Sequence, residues 1–487
     1  MGCHDVLDRP RESCGIVGLF ISNVDVARTI FFSLYALQHR GQESAGIATV
    51  DDRFAYIHRG MGLVTQVFNE DNLSPLVGSF GIGHVRYSTQ GMSQIRNAQP
   101  HLVETLHGPL GIAHNGNLIN SSELRRDILA KGIGLSTSSD TEVILQMLAC
   151  PIHDEGNENV WEARILEFMR KCKGAYSLVV MTRNAIYGVR DPLGFRPLCV
   201  GEVYDDAKRV TGHIIASESC ALSTVGASYL REVQPGEIIR IDKDGIHSYF
   251  TLQSDRQALC IFEYIYFSRP DTILMDQSVH KIRQKLGVEL ALKDNVEADI
   301  VIGVPDSSTP VAVGYSQERG IPFTEGLIKN RYIGRTFIQP NNKLRKADVS
   351  LKYNSLKVNL CGKRVILIDD SIVRGNTMGP IVNLIREAGA TEVHVRIASA
   401  PIRFPCFMGI DMSTKKELIA AQMTVEEICD HVGADSLIYL SVEEMKKVVQ
   451  GTERSDHCTA CFSGKYPIPV CNVEDQEKFE FEQIQGE

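Results

Sequence analysis

Two short strings in this chain carry residues whose types and spacing could do chemistry. The first is Val365-Ile366-Leu367-Ile368-Asp369-Asp370-Ser371-Ile372-Val373-Arg374-Gly375-Asn376-Thr377. Its apolar residues read as a buried strand with two carboxylates at the carboxyl end. A short loop containing Ser, Gly and Thr then opens a helix. Backbone N–H groups at a helix N-terminus bind anions, and small hydroxyl residues add donors. Two carboxylates beside a phosphate cradle would repel the ligand unless they hold vicinal hydroxyls, or a Mg2+ that bridges to phosphate oxygens. A phosphorylated sugar with Mg2+ satisfies both halves of the loop. The plainer alternative is that Asp369 and Asp370 only cap the next helix. A Walker A loop is excluded, because the G-x-x-x-x-G-K-[ST] pattern does not occur there.

The second string begins at Cys14, followed by Gly15-Ile16-Val17-Gly18. As an internal residue it is a buried strand cysteine. As an amino-terminal residue it is different, because its own α-amino group, with a pKa of about 7.7–8.0, can act as general base toward the thiol. That requires cleavage of the Ser13–Cys14 bond, and the polar residues 1–13 fit a propeptide. Further polar clusters stand at His39–Gly46, His84–Thr89, Ala113–Gly116 and Ser138–Thr141. An Arg can hold the α-carboxylate of an amino-acid substrate bidentately, and an Asp can take its α-ammonium. An Asn amide with a Gly N–H can stabilise the oxyanion of a thioester-forming step. Any one cluster alone reads as structural.

The elements that must position these groups fall into two rhythms. The first half is Gly-rich, with short apolar runs at 14–20, 45–50, 80–88, 108–116, 175–181, 185–191 and 236–241 that read as strands. Helical patterns lie between them at 26–40, 121–132, 139–149 and 160–171. This mixture predicts a layered α+β domain with sheet cores and helices outside. The second half alternates strand, loop and helix: 298–305, 363–370, 376–389 with Gly389 suited to the helix C′ position, and 391–399. That alternation predicts a parallel α/β sheet, whose ligands sit beyond the carboxyl ends of the strands. The boundary falls near 250–260, and the acidic segment from 467 to 487 reads as a tail.

Length and composition agree with this plan. A chain of 487 residues exceeds what one core of roughly 250–300 residues supports. Its 51 Lys and Arg against 60 Asp and Glu give a net charge of −9, which does not favour a general nucleic-acid binder. The 13 cysteines are odd in number and mostly scattered, unlike a secreted disulfide framework. With no secretory h-region and no apolar stretch of roughly 20 residues, a cytoplasmic enzyme without membrane or nucleic-acid partners is expected.

The Asp369–Thr377 string resembles the 5-phosphoribosyl-1-pyrophosphate (PRPP) motif of type I phosphoribosyltransferases. Pro305-Asp306-Ser307-Ser308-Thr309-Pro310 resembles that family's pyrophosphate loop, and the basic, aromatic segment 329–337 resembles a closing lid. The amino-terminal clusters resemble the class II (N-terminal nucleophile) glutamine amidotransferase domain. The combination, over roughly 14–466, resembles the glutamine PRPP amidotransferase family. The resemblance implies a four-layer αββα domain at 14–250 and a phosphoribosyltransferase domain at 251–466. It implies Cys14 as nucleophile, and Asn115 with Gly116 as oxyanion hole. Glutamine would be bound by Arg86 and Asp140, with Arg40, Tyr87 and Thr89 lining or closing the site. Asp369 and Asp370 would hold ribose hydroxyls and, with Ser307, Mg2+. Ser371, Arg374, Gly375, Asn376 and Thr377 would cradle the 5-phosphate, with Ser308, Lys329 and Lys352 as further contacts and Tyr332 and Arg335 in the lid. Cys260, Cys406, Cys458 and Cys461 would hold a [4Fe–4S] cluster, Zn2+ being the alternative for four thiolates. Purine nucleotides as inhibitors and a homotetramer are also implied. Another class II amidotransferase lacks the Asp369–Thr377 string, and a PRPP-sensing inactive homologue would have no need of Cys14, Asn115 and Asp140.

Overall fold

The computed structural model describes residues 14–22, 25–87, 92–151, 160–250, 252, 254–330, 352–412, 414–450 and 456–470. Two antiparallel sheets build the amino-terminal half. One has seven strands in the order Ser228–Glu232, Cys199–Tyr204, Val210–Ala216, Gly15–Ile21, Phe80–Arg86, Ser44–Val50 and Ala55–Met61. The other has six: Gly245–Phe250, Glu237–Asp242, Ile186–Arg190, Gly174–Met181, Gly108–Leu118 and His101–Thr105.

Side-chain alternation along the strands explains why the sheets stack. On Gly15–Ile21, Ile16 and Phe20 enter a core shared with Ala113, Val179, Met181 and Ile239 of the other sheet. The intervening Val17 and Leu19 pack instead against Ile30 and Leu34 of the helix Val26–Ala36 and Leu222 of Ser219–Thr224. On the far side, helices Ser121–Ala130, Asp140–Ala149 and Val160–Lys171 cover Leu110, Ile112, Leu178 and Val180. The result is the expected helix–sheet–sheet–helix sandwich. Every residue of Gly15–Ile21, Ser44–Val50, Phe80–Arg86 and Gly174–Met181 is buried, as central strands covered on both faces require.

The second half is built on a four-stranded parallel sheet, Ile300–Gly303, Arg364–Asp369, Glu392–Ile397 and Ser436–Tyr439. Val301, Ile366 and Ile368 pack against Leu286, Leu290, Val311 and Tyr315 of the helices Val279–Leu292 and Thr309–Arg319. Val365 and Leu367 pack on Ile381 and Ile385 of Met378–Glu387. Coverage of both faces is why the central strand reads as an unbroken apolar run rather than an alternation. A small ribbon, Leu327–Lys329 with Tyr353–Ser355, stands apart. Leu259–Cys260 pairs in parallel with His457–Cys458 and brings the carboxyl-terminal segment back to the start of this half.

Candidate active site

Cys14 lies at the entry to the strand Gly15–Ile21. Gly15 pairs with Val85, so Cys14 falls opposite the end of the Phe80–Arg86 strand. Its Sγ donates to the Tyr87 carbonyl at 3.3 Å, and the Tyr87 N–H lies 3.4 Å from the same sulfur. Burial pushes the Cys14 thiol up to about 11, against the opposing influence of the Tyr87 backbone and of Arg86. In that state it is a neutral thiol at pH 7 and a poor nucleophile. Arg86 is buried and lies 3.6 Å from Glu43 Oε2.

The second sheet brings Asn115 and Gly116 to the same end. The His84 ring contacts the His114 carbonyl at 3.1 Å and ties the two sheets together there. Asn115 is fully buried, yet neither its Oδ1 nor its Nδ2 has a hydrogen-bond partner among the described residues. Buried polar side chains are nearly always paired. Asn115 thus offers a donor and an acceptor that no described residue takes up. Gly116 has φ +151, and a Cβ there would stand 2.0 Å from the Ala175 carbonyl oxygen, so this position admits only glycine.

Asp140 opens the helix Asp140–Ala149, whose N-cap Ser139 accepts from the Thr141 N–H at 3.1 Å. Burial alone would raise the Asp140 carboxyl. The His114 ring, 3.6 Å away, and the N–H groups of Leu118 and Thr141 outweigh it and hold the carboxyl below its ordinary range. Asp140 is thus a buried anion, and its charge reaches Cys14.

Arg40, which the resemblance implies lines or closes the glutamine site, takes part in a buried ion network. Its guanidinium is fully buried between Glu218, which it meets directly, and Glu263 at 2.6 Å. Glu263 also lies 3.4 Å from Arg196, which donates to the Met408 carbonyl. Arg40 thus belongs to an ion network joining the two halves. The sequence signal for this was absent, because Glu218 and Glu263 are remote from it along the chain.

The Asp369–Asp370 pair stands at the carboxyl end of its parallel strand, both side chains buried. Ser307 Oγ donates to Asp370 at 2.8 Å, Ser308 Oγ to Asp369 at 2.9 Å, and Ser371 Oγ to Asp370 at 2.8 Å. The loop after Ile300–Gly303 and the loop after Arg364–Asp369 thus meet, with a cis peptide between Pro305 and Asp306. Lys329 reaches Asp306 at 2.8 Å, and the Asn330 N–H donates to the Lys352 carbonyl at 2.8 Å. Arg374 pairs with Glu417 at 2.6 Å, Gly375 has φ +77, Asn376 is exposed, and Thr377 is the N-cap of Met378–Glu387. Thr89, Tyr332 and Arg335 lie outside the described residues, as do residues 1–13 and 471–487.

The four cysteines singled out from the sequence also converge. Cys260 and Cys458 are register partners, and the Cys461 carbonyl accepts from the N–H groups of Arg403 and Phe404, next to Cys406. Burial raises all four thiols, Cys458 to about 12, and Cys461 is raised further by its proximity to Cys260, Cys406 and Cys458. Among the described residues, no group of three or more His, Cys, Asp or Glu side chains is assembled as a metal site. Cys260 and Cys461 are buried and Cys406 and Cys458 partly so, and thiolates are the donor type that soft metals take.

Comparison with known proteins adds to this geometry. Residues 84–224 match the glutamine amidotransferase domain, and residues 274–400 match the phosphoribosyl transferase domain. The amidophosphoribosyltransferase of Rattus norvegicus is 46% identical, covering 94% of this chain and 98% of the relative. That of Archaeoglobus fulgidus is 49% identical, again over 94% and 98%. The solved structure of B. subtilis glutamine PRPP amidotransferase complexed with ADP and GMP superposes with a TM-score of 0.87 at 43% identity, covering 95% of this chain and 99% of that one. No helix among the described residues is long and apolar enough to cross a membrane. Full-length similarity at this level, on the same two-part architecture, means that the chain belongs to the amidophosphoribosyltransferase family.

Proposed function

We propose that this chain transfers the amide nitrogen of glutamine to PRPP, giving 5-phosphoribosylamine, pyrophosphate and glutamate, the entry step of purine synthesis. The observation that carries this reading is the coexistence in one chain of two unlike sites. One is a buried cysteine in a sandwich that also holds a buried Asn115 amide without a partner among the described residues; the other is a paired-carboxylate loop beyond a parallel strand. Cys14, freed of residues 1–13, attacks the glutamine amide carbon. The Asn115 amide and the Gly116 N–H stabilise the developing oxyanion, ammonia departs with the proton taken from the thiol, and water then hydrolyses the Cys14 thioester to release glutamate. Arg86 and Asp140 hold the substrate's two charged ends. Ammonia then displaces pyrophosphate at the anomeric carbon of PRPP, held by Asp369, Asp370 and the 371–377 loop.

The carboxylates of Asp369 and Asp370, with Ser307 Oγ, would hold Mg2+, which when bound neutralises charge on the departing pyrophosphate. Cys260, Cys406, Cys458 and Cys461 would hold a [4Fe–4S] cluster that ties the carboxyl-terminal segment down; stoichiometric zinc would overturn that assignment. Purine nucleotides as feedback inhibitors, a homotetramer and a cytoplasmic location complete the reading. The decisive assay is PRPP-dependent glutaminase activity of the purified protein. Cys14→Ala is expected to abolish glutamine use while sparing synthesis from free ammonia, whereas Asp370→Asn lowers both. Glutamine use that survives Cys14→Ala would sink the nucleophile assignment.

A further inference from the structure

The oxyanion strand is backed by the other half of the molecule at one point. Gly409 has φ +88, and a Cβ built on it would stand 2.9 Å from the Gly116 carbonyl carbon and 3.0 Å from Gly116 Cα. Backbone therefore packs on backbone with no side chain between. One residue further along, Asn117 Nδ2 donates to the Phe407 carbonyl at 3.0 Å. Two contacts thus clamp the Asn115–Asn117 stretch to the turn 406–412, on the side where Ala175 closes against Gly116.

That turn is itself held from several directions. The Cys406 N–H donates to the Met412 carbonyl at 2.9 Å, and the Met408 N–H approaches Cys406 Sγ at 3.4 Å. Arg196 donates to the Met408 carbonyl and is anchored by Glu263. Asn115, by contrast, has no hydrogen bond through either amide atom among the described residues. Its aim must be fixed by the backbone on which it stands. The turn 406–412 supplies that fixing from outside the amidotransferase sandwich.

We propose that Gly409 is a positioning residue of the glutamine site: with the Asn117–Phe407 bond, it sets the Asn115–Gly116 oxyanion hole from the phosphoribosyltransferase half. The inference rests on reading Cys14, Asn115 and Gly116 as that site. A side chain at 409 pushes the Gly116 backbone away from its position. Displacements of around 1 Å at a reacting centre cost about 10²-fold in rate. Losing an interaction felt only in the transition state lowers kcat, whereas losing one felt equally by bound substrate raises KM.

The test compares wild type, Gly409→Ala and Asn117→Ala as full-length, metal-loaded enzyme, with nitrogen from either glutamine or ammonium salts. The expected result for Gly409→Ala is a fall of about 10²-fold in glutamine-dependent kcat, little change in glutamine KM, and an unchanged ammonia-dependent rate. Equal losses through both nitrogen sources would mean that the contact serves folding alone and would overturn the proposal. Unchanged kcat with raised glutamine KM, or no effect at all, would overturn it too. If Gly409→Ala does not accumulate as soluble protein, Asn117→Ala carries the same comparison with the same outcomes. Failure of the underlying site reading is separable, because it appears in wild type as glutamine use that persists in Cys14→Ala.

Discussion

At the Cys14 thiol two demands conflict. Enclosure strengthens the electrostatic interactions that aim a substrate, but enclosure also keeps the sulfur protonated, pushed up to about 11. A local base is needed, and a freed α-amino group at Cys14 is the nearest candidate that chemistry allows. A chain retaining the Ser13–Cys14 bond is therefore expected to react slowly with iodoacetamide and to lack glutaminase activity, while still using ammonia. Intact mass together with the two activities checks this. Full glutaminase activity in unprocessed chain would exclude the α-amino base. Asn115→Ala removes an oxyanion donor and should lower glutamine-dependent kcat by about 10²–10³-fold with no effect on the ammonia route.

Histidines near this end give a pH signature. Burial, with a smaller contribution from Arg59, lowers His101 to about 4, and burial lowers His84 well below its usual value. A folded-state value below the unfolded one means that the unfolded chain takes up protons first. The stabilisation is present above about pH 6.5 and fades as pH falls toward 4. The urea midpoint should fall across that window, and His101→Gln should remove up to about 3 kcal/mol of the stability lost across it. A midpoint independent of pH between 6.5 and 4 would contradict the burial argument.

Elements decide how well these residues are aimed. Ser139 caps the helix that begins at Asp140, and its hydroxyl accepts from Thr141 in the first turn. Ser139→Ala is expected to destabilise the protein by about 1 kcal/mol and to raise the glutamine KM, because Asp140 loses a fixed base. Unchanged KM would separate the cap from substrate binding. Strands and helices with strong periodicity were legible in the sequence. The run at 363–370 is the strand Arg364–Asp369, 376–389 holds the helix Met378–Glu387, and Gly389 has φ +97. The half-buried strands Ala55–Met61 and Gly245–Phe250 were not legible, since at the sheet margins polar and apolar residues mix without strict alternation. Residues 113–116 read as a strand end, yet the strand continues to Leu118. The polar Asn115 and Asn117 inside it mask the pattern.

At the scale of the molecule, the feature hidden from sequence reasoning is the ion network across the junction. Arg40 and Glu218 come from the sandwich, Glu263 from the segment after it, and Arg196 carries the chain of contacts to Met408. All four side chains are fully buried. Burial alone would lift the Glu218 carboxyl, but Arg40 and then His39 bring it well below the ordinary range. A carboxyl depressed in the folded state stabilises above the ordinary glutamate value of about 4.3 and loses that contribution as pH falls beneath it. Removing one partner from such a network strands the others' charge in a dry interior and typically costs about 3–5 kcal/mol. Glu263→Gln leaves Arg40 and Arg196 undercompensated where the two halves meet. It should therefore lower the urea midpoint accordingly and uncouple the two halves, turning one unfolding transition into two. Buried pairs are poorly screened, so the loss should persist at high salt. A loss abolished by salt, or a single transition at an unchanged midpoint, would mean that the halves are held by apolar packing alone.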